Sequence, residues 1–76
     1  MKEILETIIS TLVSNPEAIS INQIDGEQSV IFEVKVAEED MGKIIGRQGT
    51  IAKSIRTIMK AVAAKENKRV SIEFLD

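Results

Sequence analysis

Cysteine and histidine are both absent from the sequence. Their absence removes disulfides, thiolate nucleophiles, the commonest zinc ligands and the side chain best suited to proton transfer near neutrality. No serine or threonine has a histidine to activate it, so no enzymatic activity, cofactor or metal is expected. Tryptophan and tyrosine are missing too, and both phenylalanines, Phe32 and Phe74, fall on the apolar side of alternating segments. Surfaces that stack nucleobases need exposed rings, and none is on offer. No apolar run approaches the roughly 20 residues of a membrane span. Glu3 and Glu6 interrupt the first apolar residues, which excludes a secretory h-region. The expectation is a soluble cytoplasmic protein.

At 76 residues the sequence holds one small domain, residues 1–76. Such a domain buries only about 60% of its unfolded surface, so added stability from a partner is useful. The net charge of −2 conceals a strong asymmetry. Between Met41 and Lys65 stand Lys43, Arg47, Lys53, Arg56, Lys60 and Lys65, with no acid, giving +6. The remainder carries four cations against twelve carboxylates, giving −8. A basic region set in an acidic chain is the electrostatic footprint of a nucleic-acid binder, although a solvated basic helix face gives the same pattern.

Ile4, Leu5, Ile8, Ile9, Leu12 and Val13 recur at helical spacing, and Asn15-Pro16 stops that helix. Ile19 and Ile21 alternate with polar residues as a short strand. Asp25-Gly26 supplies a turn with positive φ available, and Val30, Phe32, Val34 and Val36 form a second strand. Glu38, Glu39 and Asp40 suit the positive end of a helix dipole, and a metal site there is the weaker reading. Met41, Ile44 and Ile45 continue that short helix to Gly46. A longer helix from about Thr50 to Lys65 carries Ile51, Ile55, Ile58, Met59, Val62 and Ala63 on one stripe, with Lys53, Arg56 and Lys60 on another. Val70, Ile72 and Phe74 close the chain as a strand. The fold class is α+β, in the order α-β-β-α-α-β. The helical crossover makes the last two strands parallel, in a three-stranded mixed sheet with helices on one face. The long helix has more apolar surface than a sheet face can cover. The excess, expected near Ile58 and Met59, is a candidate dimer interface.

Between the two central helices lies Ile44-Ile45-Gly46-Arg47-Gln48-Gly49. A tight helix–helix turn would use glycines for geometry alone. Here, however, the glycines precede a helix N-terminus, where unpaired amides favour phosphate, and the absence of a Cβ lets a ligand backbone come close. The Walker GxxxxGK and Rossmann GxGxxG spacings are both absent.

Met41 to Ile55 resembles the signature of KH domains, in which a GxxG loop joining two helices clamps about four nucleotides of single-stranded nucleic acid. Gly46, Arg47, Gln48 and Gly49 match that loop one for one, and Ile45 matches the apolar residue before it. The element order is similar to the bacterial, type II arrangement, and the resemblance spans essentially the whole chain. It implies an RNA-binding protein, a chaperone or post-transcriptional regulator, with Lys43, Ile45, Gly46, Arg47, Gln48, Gly49, Thr50 and Lys53 at the RNA. It also implies a homodimer, or a heterodimer with a larger KH-containing bacterial protein. A KH-shaped module acting mainly through such dimers is the alternative function. The sequence departs from the pattern at Ala52, where KH loops are often followed by a bulky aliphatic residue.

Overall fold

The computed structural model describes residues 1–75, and of Arg47 the backbone alone. Helix α1 spans Lys2–Leu12, strands β1 and β2 span Ser20–Asp25 and Ser29–Lys35, helices α2 and α3 span Glu38–Ile45 and Thr50–Lys65, and strand β3 spans Arg69–Phe74. The sheet order is β1-β2-β3, with β1 antiparallel and β3 parallel to β2. This is the α+β arrangement expected of a type II KH fold.

Alternation in the strands sets the core. Val30, Phe32 and Val34 point to one face of central β2 and are sealed from solvent, with Ile72 beside them on β3. Leu5 and Ile9 of α1, Ile44 of α2, and Ala52, Ile55 and Met59 of α3 close over that face. The opposite face carries Asn22, Glu33 and Glu73 in one row, and Asn22 donates to Glu33 across the strands at 2.9 Å.

Three local details differ from the sequence-based expectation. Helix α1 ends at Leu12, ahead of Asn15-Pro16, because Val13 is already extended; Pro16 instead begins a single short turn, Pro16–Ala18. The hairpin turns on Glu27-Gln28, Gly26 donating its amide to the Ser29 carbonyl at 2.8 Å, and no positive φ is used there. Met59, expected at an exposed patch, is fully buried. The seam that α3 lays on the sheet is Ala52-Ile55-Met59-Ala63, rotated from the stripe of largest residues. Small Ala52 and Ala63 let the helix axis approach closely, and this turns Ile51 and Ile58 outward, the latter 46% exposed. Helix α3 then stops on left-handed Asn67, with the Lys68 amide reaching back to the Ala63 carbonyl at 2.9 Å.

Truncation of Met59 to alanine opens a hole under α3 and should cost about 2–5 kcal/mol. Urea denaturation should show the midpoint falling at unchanged slope. Ile51→Ala, on the outer side of the same helix, should shift it by less than half as much.

Candidate nucleic-acid interface

The interface is built from the start of α2 upward. Its first turn carries three acids, of which Glu38 and Glu39 are exposed while Asp40 is wholly buried. The Asp40 carboxylate accepts the Ser14 amide at 2.8 Å on Oδ1 and the Asn15 amide at 3.0 Å on Oδ2. These are backbone donors that the early end of α1 leaves without helical partners. Those bonds, Ser14 first, outweigh the cost of burial and hold the carboxyl below its ordinary range, helped by the Lys43 ammonium. Lys43 Nζ lies 3.5 Å from Oδ1 and also donates to Ser14 Oγ. The third acid is thus a clamp between α1 and α2, beyond the dipole role expected of it.

Helix α2 ends where the Gly46 amide closes on the Gly42 carbonyl at 2.8 Å. Gly46 takes φ 37° and ψ −150°, and a Cβ there would stand 3.0 Å from the Lys43 carbonyl oxygen, so only glycine fits. The tight turn Arg47–Gly49 follows, with both Gln48 (φ 59°, ψ 15°) and Gly49 (φ 65°, ψ 27°) left-handed. A non-glycine residue in that region stores of order 1 kcal/mol of strain. A Cβ on Gly49 would meet no protein atom within 4 Å, so crowding within the protein does not explain that glycine. Gly49 is the N-cap of α3 and brings no side chain to its first amides.

One recess borders this turn and a second lies further along α3. The first, about 680 Å³, is lined by Met41, Gly42 and Ile45 of α2, by Glu38, and by Val36 and Leu75 beyond the ends of β2 and β3. Ile45 is 42% exposed into solvent here, and helical Gly42 has nothing near its missing Cβ. The other, about 250 Å³, is lined by Arg56 and Lys60 of α3 and by Val70, Ser71 and Ile72 of β3. The first lies beyond the ends of β2 and β3, and the second lies beside β3 itself.

Of the residues singled out in the sequence, Ile45, Gly46, Gln48, Gly49 and Thr50 are contiguous at the turn, and Lys53 is exposed nearly one helical turn along α3. The Arg47 side chain lies outside the described residues. Lys43 is drawn toward Ser14 and Asp40. Ala52 faces the core, so the missing bulk at that position shapes packing under α3. Sequence reasoning missed Val36, Met41, Gly42 and Leu75 as lining residues. Gly42, a helix-weakening residue inside an eight-residue helix, was the available signal.

The profile of the KhpA/KhpB KH domain matches residues 2–74. The chain belongs to this family. Its similarity to RNA-binding protein KhpA of Clostridium acetobutylicum is 57% identity over 75 residues, covering 99% of this chain and all of that protein. RNA-binding protein KhpA of Borreliella burgdorferi is 49% identical over 97% of this chain and 90% of its own length. RNA-binding protein KhpA of Chlamydia trachomatis is 41% identical over the whole chain and 97% of its own. KhpA-like KH domains are binding modules and not enzymes. Among the described residues, no helix is long and apolar enough to cross a membrane.

Because the Asp40 carboxyl is depressed in the folded chain, its contribution is complete above the ordinary carboxylate range, near pH 4, and is lost as pH falls through the lower folded value. The stability difference between the unmodified protein and Asp40→Asn should therefore be greatest at pH 7. Urea titrations at a series of pH values should show it shrinking below about pH 4. A difference that grows with acid would remove Asp40 from this role.

Proposed function

We propose that the chain binds single-stranded RNA in the cytoplasm, gripping the sugar-phosphate backbone at Gly46-Arg47-Gln48-Gly49 and seating bases along the β3 edge. The conformation of the turn carries this reading. Gly49 has open space where its Cβ would be and Gln48 holds a left-handed backbone, and the start of α3 follows directly. Such a surface admits a phosphate to within contact of backbone amides. The basic window from Met41 to Lys65 adds long-range attraction, with Lys53 and Lys60 exposed on α3. The printed names of the KhpA relatives support the same ligand class. Apolar Ile45 and Met41 beside the turn suit a base face without aromatic rings. A module of this kind acts as a chaperone or post-transcriptional regulator, with no catalytic step.

The exposed Ile58 and Ile51 on α3 favour a second reading: assembly with another copy or with a larger KH-containing partner. In a domain this small, covering that side of α3 would add stability as well as form a dimer. The two readings meet on α3, where Thr50 and Lys53 of the RNA set line the same recess as Ile58.

The double substitution Arg47→Asp, Gln48→Asp places two carboxylates where phosphate would sit. It should abolish a gel shift with single-stranded RNA while leaving the circular dichroism spectrum unchanged; retained binding by the folded variant would end the loop reading. The unmodified protein should show a log–log salt slope of roughly −1.5 to −3, the signature of about 2–4 neutralised phosphates on a single strand.

For the second reading, light scattering should find a dimer at high micromolar concentration. Ile58→Asp should remain folded and elute as a monomer, since its side chain is already largely in solvent. A monomeric unmodified protein would exclude the homodimer.

A further inference from the structure

Arg56 is the cation of the basic helix face that does not behave as a solvated one. It is half-buried, its Nε donates to the Ile72 carbonyl at 3.2 Å, and its guanidinium carbon lies 5.5 Å from the centre of the Phe74 ring. Among the described residues no carboxylate pairs with it, and no acceptor meets its terminal amino groups. The backbone explains why Ile72 is available. The amides of Arg69 and Leu75 donate to the carbonyls of Gln28, just before β2, and Val34 of β2, so by alternation the polar groups of Val70, Ile72 and Phe74 point out along the sheet edge. Arg56 therefore lies flat against an open edge, braced by one carbonyl and one ring, beside the recess it shares with Lys60, Val70 and Ser71.

We propose that Arg56 is a base-reading residue, whose terminal amino groups fork onto the O6 and N7 acceptors of a guanine seated in that recess. This deepens the RNA reading above and rests on it. A guanidinium presents paired donors in one plane, which two acceptors on one edge of guanine match and which adenine, with a donor beside N7, does not. Phosphates belong with exposed Lys53 and the turn, where a strongly hydrated group stays in water. A flat base gains from the sheltered strand edge, and Val70 and Ile72 line the recess on that side. The brace from Ile72 fixes the fork before the ligand arrives, so little side-chain freedom is lost on binding. The neutral role, a staple holding α3 to β3, uses the same contacts but predicts no base preference.

The probes are labelled, unstructured RNA nonamers: U9 and U4-N-U4 with N as G, A or C, followed by fluorescence anisotropy. The unmodified protein should bind the G oligomer roughly 10-fold tighter than the A oligomer, within the range of one two-bond arginine–guanine contact. Arg56→Lys keeps the charge and loses the fork. It should bind U9 within about twofold of the unmodified protein, at the same salt slope, and show no G preference. Lys53→Ala should weaken all four oligomers alike and keep the preference. In the unmodified protein, the Arg56 Nε–H signal in a nitrogen–proton correlation spectrum should move with the G oligomer and stay in place with U9. Equal affinity for all four oligomers overturns the base-reading role and leaves RNA binding intact. Binding to none of them overturns both. A G preference that survives in Arg56→Lys assigns Arg56 to the staple role.

Discussion

The arrangement of the helices depends on one buried carboxylate. Asp40 accepts the amides of Ser14 and Asn15, so the chain leaving α1 is fastened to the first turn of α2. Without an acceptor there, two backbone donors would be stranded where α1 gives out and the strands begin. Asp40 lies about one and a half helical turns ahead of Ile45, the last residue of α2. Fixing the start of so short a helix also fixes where it ends and in which direction Gly46 emerges. The exposed turn thus inherits its position from a bond made at the far end of the same short helix.

Helix α3 divides its circumference among three tasks. Ala52, Ile55, Met59 and Ala63 pack on the sheet, Arg56 and Lys60 face the β3 edge, and Ile51 and Ile58 face outward. An aliphatic residue larger than alanine at 52 or 63 would lift the helix from the sheet and separate Arg56 from the Ile72 carbonyl. Close packing of the core and the reach of a cation at the edge are therefore set by the same small side chains.

Much of this was legible in the sequence for a physical reason: strand alternation and helix periodicity are local, and the six elements announce themselves at those periods. The GxxG segment was legible because two glycines between amphipathic helices have few other uses. The rest depends on contacts between distant residues. Glu38, Glu39 and Asp40 are equivalent acids until α1 brings Ser14 and Asn15 to the third of them. Met59 read as surplus because periodicity ranks residues by size, and the preference for Ala52 and Ala63 at the seam appears only when the sheet is present. Lys53, Arg56 and Lys60 read as one basic face, but β3 captures the middle one. Lys43 read as a loop cation, but Asp40 and Ser14 hold it.

A three-stranded open sheet leaves two edges, and unpaired edges invite other chains to add strands. On β1 the residues Ser20, Asn22, Gln23 and Asp25 are exposed and polar, with Ile24 exposed among them. The β3 edge is bordered by apolar Val70, Ile72 and Phe74, and there the obstruction is Arg56 itself, occupying the Ile72 carbonyl and covering the ring. A strand added at the β3 edge would first have to displace Arg56 from the Ile72 carbonyl, so the side chain that braces the helix also guards the edge.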